Sequence, residues 1–301
     1  LADVFSLIGN TPLVEVDRLN PHRARGVRVL AKLESRNPGG SVKDRAARAI
    51  VLDAEKKGVL PGRALLDATS GNTGIAYAML CAARGYACEL VLPGNASPER
   101  LRILRAYGAT LRLTDPLEGQ DGAIDAARAL AAEEPERYWH ADQYANAANP
   151  RAHYETTGPE IWAQTSGRVT HFVAALGTTG TLMGTSRFLR ERRPGVAIAS
   201  VEPEGPLHGV EGLKHLASSH VPPIFRADEA GERLTVPTEE AQRLARALAR
   251  QEGLLVGSSS GAALAGALRV AQSAEPGSVV VTVFPDGGER YLSGAPFAPR
   301  V

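Results

Sequence analysis

Residues 27–45, VRVLAKLESRNPGGSVKDR, change character part-way along. VRVLAKLE (27–34) is apolar and β-branched enough for a buried strand, and NPGGSVKDR (37–45) is a tight turn running into a helix. Ser41 is placed to cap that helix, with Val42, Lys43 and Asp44 in its first turn. Asp44 suits the positive field of a helix start. Lys43 does not, because the free backbone N–H groups and the macrodipole repel an ammonium. Either Lys43 reaches into solvent or it is kept neutral. Lysine occurs only at positions 32, 43, 56, 57 and 214, while arginine supplies 29 of the 34 basic residues. Arginine stays protonated, whereas a buried lysine can lose its proton and act as nucleophile or base.

Strand followed by helix recurs along the chain. ALLDAT precedes a helix near 73–84, ACELVLP one near 97–107, ATLRLT one near 119–133, THFVAAL one near 181–192, and LLVG one near 261–272. AIASVEP and SVVVTVF complete the set of strands. Buried strands separated by helices imply βαβ units, hence an α/β fold with mostly parallel sheets. At 301 residues two domains are expected. The polar run QYANAANPRAHY places a division near 145, and the stretches near 21 and over 203–223 read as loops.

The formal net charge is +1, with 34 basic and 33 acidic side chains, so no basic field draws nucleic acid or an anionic membrane. Cys81 and Cys88 offer neither a disulfide framework nor a C-x-x-C pair, which fits a reducing cytoplasm. No apolar run approaches the roughly 20 residues of a membrane span, and the N-terminus lacks a signal-peptide pattern. The seven histidines include no metal-binding spacing, so no metal is expected, and no G-x-S-x-G elbow is present.

Open α/β sheets bind ligands beyond the carboxyl ends of their strands. Three such loops stand out. TSGNTG (69–74) gathers hydroxyl, amide and backbone donors at a helix start, which suits a carboxylate or phosphate and equally serves ordinary capping. GTTGT (177–181) flanks two threonines with glycines; it is neither a dinucleotide nor a Walker fingerprint, and a single terminal phosphate fits it better. Ser258, Ser259 and Ser260 form the third, more hydroxyls than one cap needs, although serines are common in turns. Asp286 in FPDGGER reads as a turn residue.

Taken together, IGNTPLV (8–14), NPGGSVKDR, TSGNTGIA, GPEIW (158–162), GTTGT, SSSGA and GERYLS (288–293) resemble the fold-type II pyridoxal-phosphate enzymes nearly end to end. Within them the chain is similar to the cysteine synthases (O-acetylserine sulfhydrylases), and GTTGT with AHYETTGPEIW looks more like their B branch. The resemblance implies two doubly wound, mostly parallel sheet domains of the tryptophan-synthase-β-like fold. Residues 39–145 would form a smaller, mobile domain, and 1–38 with 146–301 a larger one.

It also implies roles. Lys43 would form the internal Schiff base with pyridoxal 5′-phosphate, which requires a neutral amine. Gly177, Thr178, Thr179, Gly180 and Thr181 would hold the phosphate, and Asn72 the ring's 3′-oxygen. Thr69, Ser70, Thr73 and Gln143 would clasp the substrate carboxylate. Ser259 would face the pyridine nitrogen, where a neutral hydroxyl makes the ring a milder electron sink and points to β-replacement or β-elimination.

The implied reaction converts O-acetyl-L-serine and sulfide, or thiosulfate, to L-cysteine or S-sulfocysteine and acetate through an α-aminoacrylate, in an expected homodimer of the cytoplasm. Where the B branch often has GIRRW, this chain has GLKHL (212–216), so Lys214 and His215 either keep some positive character for thiosulfate or belong to a solvated loop. Cystathionine β-synthase and serine/threonine dehydratase activities use the same lysine and phosphate loop. A non-catalytic ligand-binding module is the reading from another class.

Overall fold

Ten strands form two sheets among the described residues of the computed structural model, which are 3–69, 71–294 and 297; Ser70 lies outside them. In chain order the elements begin with β1 (Leu13–Glu15), β2 (Arg28–Leu33), α1 (Lys43–Lys56), β3 (Ala64–Ala68), α2 (Asn72–Arg84), β4 (Cys88–Pro93) and α3 (Pro98–Ala106). There follow β5 (Thr110–Thr114), α4 (Gly119–Glu133), β6 (Tyr138–His140), α5 (Ala148–Ala152), α6 (Gly158–Gln164), β7 (His171–Ala175) and α7 (Gly180–Arg192). The last are β8 (Ala197–Pro203), β9 (Glu232–Val236), α8 (Thr238–Ala247), α9 (Ser258–Ser273) and β10 (Val279–Phe284). No helix among the described residues is long and apolar enough to cross a membrane.

The larger sheet runs β1-β2-β10-β7-β8-β9 and the smaller β5-β4-β3-β6. All pairings are parallel except β1 with β2. Both faces of the larger sheet are covered, which is why VVVTVF in β10 is apolar almost throughout and buried at every position. Val280 and Phe284 pack toward α8 and α9, while Val279, Val281 and Val283 face the opposite core with Phe172, Leu182 and Leu189. The smaller sheet divides likewise. Leu65, Leu90 and Leu92 join the core under α1 and α2, into which Phe5 and Ile8 also reach, and Leu66, Ala68 and Val91 join Ile124 and Ala127 of α4.

Five local features differ from expectation. LLVG is not a strand: Val256 makes one isolated bridge to Gly287, and the serines after it already form the first turn of α9. Conversely β1, β6 and β9 carry no strand signal in sequence. The first two are three residues long, and β9 is an edge strand, ERLTV, largely open to water. Ser41 accepts from the Lys43 N–H at 3.2 Å, one residue earlier than an ordinary cap, and Val42 is already helical.

The arrangement places the site. β2, β10 and β7 lie side by side with parallel direction, so the segments after their carboxyl ends converge. Those segments carry Lys43, Asp286 and the GTTGT loop, and the loop after β3 brings Asn72 from the other sheet.

Candidate active site

Lys43, the first residue of α1, lines a cavity between the two sheets together with Asn72, Thr178, Thr179, Ser259 and Asp286. Burial pushes the Lys43 amine below its ordinary pKa, and the Asp286 carboxylate pulls part of the way back. The amine makes no hydrogen bond or ion pair with another described residue. The lowered pKa favours the free amine, which is a nucleophile and a base.

The base of α1 is rigid. Arg45 is held by Glu34 (2.7 Å) and Glu160 (2.6 Å), and Lys32 by Glu160 (2.7 Å); all but Glu160 are nearly or wholly buried. Thr11 donates to Glu34 at 2.7 Å, so IGNTPLV, β2, α1 and α6 meet in one charged cluster beneath Lys43. Val42 N–H donates to Pro285 O at 2.8 Å, which ties the helix start to the end of β10.

Across the cavity, residues 177–181 turn from β7 into α7. Thr179 has φ +72°, the left-handed region that β-branched residues avoid, and its buried Oγ1 has no hydrogen-bond partner. Such an orphaned hydroxyl next to a helix start is what a phosphate oxygen would satisfy. The glycines answer to their neighbours: a side chain on Gly177 would strike Gly212 O, and one on Gly180 would strike Asn149 Oδ1. Asn149 Nδ2 donates to Thr178 Oγ1 at 3.0 Å and to Gln143 O at 2.7 Å, linking this loop to the neighbouring segment. Behind the loop, His153 Nε2 lies 3.3 Å from Thr181 Oγ1, and burial pushes its pKa down to about 3, so it is neutral.

Ser259 in the first turn of α9 lines the cavity. Thr69, Thr73 and Gln143 are buried beside it without lining it. Thr69 Oγ1 accepts from Gly71 N (3.3 Å) and Gly74 N (3.2 Å), the ordinary closing of a helix start. Thr73 Oγ1 donates to Gln143 Oε1 at 2.6 Å, so these two residues, 70 apart in sequence, come together.

A family model described as pyridoxal-phosphate dependent enzyme matches residues 4–286. The chain is 51% identical over 302 residues to a cysteine synthase of Aquifex aeolicus, covering 99% of this chain and 92% of that one. It is 48% identical over 291 residues to cysteine synthase B of Salmonella typhimurium, covering 96% and 94%. A solved cysteine synthase of Entamoeba histolytica superposes with a TM-score of 0.92 at 38% identity, covering 97% of this chain and 89% of that one. The chain belongs to the pyridoxal-phosphate-dependent enzymes, among the cysteine synthases.

The residues present fit the cofactor of that enzyme family. An aldehyde needs a neutral amine, which the lowered pKa of Lys43 favours, and a phosphate needs donors, which the orphaned Thr179 hydroxyl and the start of α7 provide. Three further residues meet here that sequence reasoning did not place in the site. Asp286 is fully enclosed, and Oδ2 accepts from Asn72 Nδ2 at 2.6 Å and from Tyr291 OH at 2.5 Å. Arg290 donates to Asn72 Oδ1 and to Gly39 O. Asn149, described above, lies in the run QYANAANP that reads as a mere connection. By contrast Lys214 and His215 do not line the cavity: Lys214 Nζ is paired with Asp121 at 2.7 Å, and His215 with Ser218 Oγ.

Proposed function

We propose that the chain carries out β-replacement, converting O-acetyl-L-serine and sulfide to L-cysteine and acetate, with Lys43 as the catalytic residue. The observation that carries this reading is the unpartnered, buried Lys43 amine facing the Gly177–Thr181 loop across one cavity. Pyridoxal phosphate supplies an aldehyde for amines and a ring that withdraws electrons from the substrate Cα.

The chain's own residues do the rest. Thr178, Thr179 and Thr181, with the N–H groups at the start of α7, bind the phosphate. Ser259 meets the ring nitrogen with a neutral hydroxyl, which holds no proton there and so favours elimination over transamination. Thr69, Ser70, Thr73 and Gln143 bind the substrate carboxylate once the Thr73–Gln143 hydrogen bond opens to it. Lys43 Nζ would take the α-proton as acetate leaves Cβ, and would return it to Cα as the sulfur of the second substrate bonds to Cβ. Residues 39–145 form the smaller, moving lobe, whose closure excludes water.

Because the Lys214 ammonium is engaged by Asp121, no free cation remains there for a doubly charged donor, which favours sulfide over thiosulfate. The same reading takes the working unit to be a cytoplasmic homodimer, which sedimentation equilibrium tests.

Replacing Lys43 by Ala is expected to abolish the covalent cofactor band and to lower the rate of cysteine formation about 10³-fold or more, the loss of base and nucleophile together. Turnover of O-acetylserine and sulfide by the Lys43→Ala variant at the wild-type rate would overturn the assignment.

A further inference from the structure

Asn72 is held at both ends of its side-chain amide. Oδ1 accepts from Arg290 Nη1, and Nδ2 donates to Asp286 Oδ2 at 2.6 Å. These partners are not interchangeable. A guanidinium has only donors, so a flipped amide would set N–H against N–H at one end and oxygen against a carboxylate at the other. One hydrogen on Nδ2 is committed to Asp286. The second is left over, on a residue that lines the cavity beside Lys43.

The clamp is itself fixed. Arg290 also donates to Gly39 O and lies against Gly40, where a Cβ would meet its guanidinium and where φ is +78°. The second glycine of NPGGSVKDR thus makes room for an arginine 250 residues further along the chain, and the first for the Asp44 carboxylate. Asp286 Oδ2 takes a second hydrogen bond from Tyr291 OH, and its backbone bridges to Ser41.

We propose that Arg290 and Asp286 are positioning residues: together they lock the Asn72 amide in one orientation, so that its free N–H is always presented to an acceptor oxygen next to the Lys43 amine. The acceptor is the ring oxygen adjoining the cofactor aldehyde. This rests on the reading above that Asn72 faces the cofactor, and it assigns a function to GERY, which otherwise has none.

The test is a double-mutant cycle on the holoenzyme, read by the visible band of bound pyridoxal phosphate and by the affinity of the resolved apoprotein for it. If Arg290 acts through Asn72, Arg290→Met shifts the band in the same sense as Asn72→Ala and weakens cofactor binding about 10-fold, the scale of one lost hydrogen bond. The double variant then matches Asn72→Ala alone. Arg290→Lys keeps a donor and recovers most of the loss; Arg290→Ala carries the cycle if Arg290→Met does not fold. Asp286→Asn keeps an acceptor and the wild-type band, whereas Asp286→Leu does not. Effects of Arg290→Met and Asn72→Ala that simply add, or an unchanged band in Arg290→Met, would overturn the inference alone. An unchanged band in Asn72→Ala would overturn the reading beneath it as well.

Discussion

Thr179 carries two penalties at one position. A β-branched residue at φ +72° costs about 1–3 kcal/mol, and an unpaired buried hydroxyl costs about 1–3 kcal/mol more. Neither is explained by the packing of the apoprotein, and both make sense if a ligand supplies the missing partner. Thr179→Gly removes the backbone strain and the orphaned oxygen together, while glycine gives back about 0.5–1 kcal/mol through the entropy of the unfolded chain. The apoprotein is therefore expected to gain about 1 kcal/mol or more in urea unfolding, and to bind pyridoxal phosphate more weakly by direct titration. A variant less stable than wild type would show that Thr179 is shaped for the fold and not for a ligand.

Among elements, the cluster joining β2, α1 and α6 sets the position of Lys43. Arg45 neutralises Glu34 and Glu160 at once, so Arg45→Met leaves buried carboxylates without their main partner. Urea unfolding is expected to register a loss of about 3–5 kcal/mol, the usual scale for stranding a buried charge. The same cluster predicts an acid slope. Glu160 is drawn from 4.5 down to about 2 by its ion pairs with Arg45 and Lys32, against the opposing effect of burial. Between those values the unfolded chain binds more protons than the folded one, so stability rises with pH. Its contribution, about 3 kcal/mol, is complete above about pH 4.5 and fades as pH falls toward about 2. In Arg45→Met that slope should flatten, which unfolding curves at a series of acid pH values would reveal.

What could be read in advance follows from which forces act locally. β2, β4, β7, β8 and β10 were legible because a parallel strand covered on both faces is apolar along its length, whereas β9 and the three-residue β1 and β6 bury too little to leave a pattern. LLVG misled because a short apolar run does not distinguish a strand from the approach to a buried helix. In the site, Lys43 was legible from its conflict with a helix start, and 177–181 from glycines that neighbouring atoms require. Asp286, Arg290 and Asn149 were not, because their roles arise from partners brought together by folding: Asn72 lies 214 residues from Asp286 and 218 from Arg290. Thr69 Oγ1 accepts from two N–H groups that close the start of α2, which leaves its hydroxyl hydrogen to be donated.

At the scale of the molecule, the loop between β8 and β9 reaches across from the larger sheet to the helices of the smaller one. Lys214 Nζ meets Asp121 Oδ1 of α4 at 2.7 Å and stands 5.1 Å from the centre of the Tyr144 ring, and His220 N–H donates to Asp121 Oδ2 at 3.0 Å. Glu211, on the cavity wall, pairs with Arg100 of α3. On the proposed motion of residues 39–145, these contacts break as the cavity opens, and they would prolong the time it stays shut after acetate has left and before sulfide arrives. Lys214→Met keeps the apolar stem over Tyr144 and deletes only the charge. Removing a pair worth about 1 kcal/mol shifts the balance toward the open form about 5-fold. In stopped-flow mixing with O-acetylserine alone, the variant should reach its reacted spectrum sooner and should lose it to water about 5-fold faster than wild type. Salt should speed that loss in the wild type, by screening the pair, and speed it less in the variant, which keeps only the Glu211–Arg100 pair. Equal rates of loss in the two proteins would mean that the cavity is kept dry by something other than this loop.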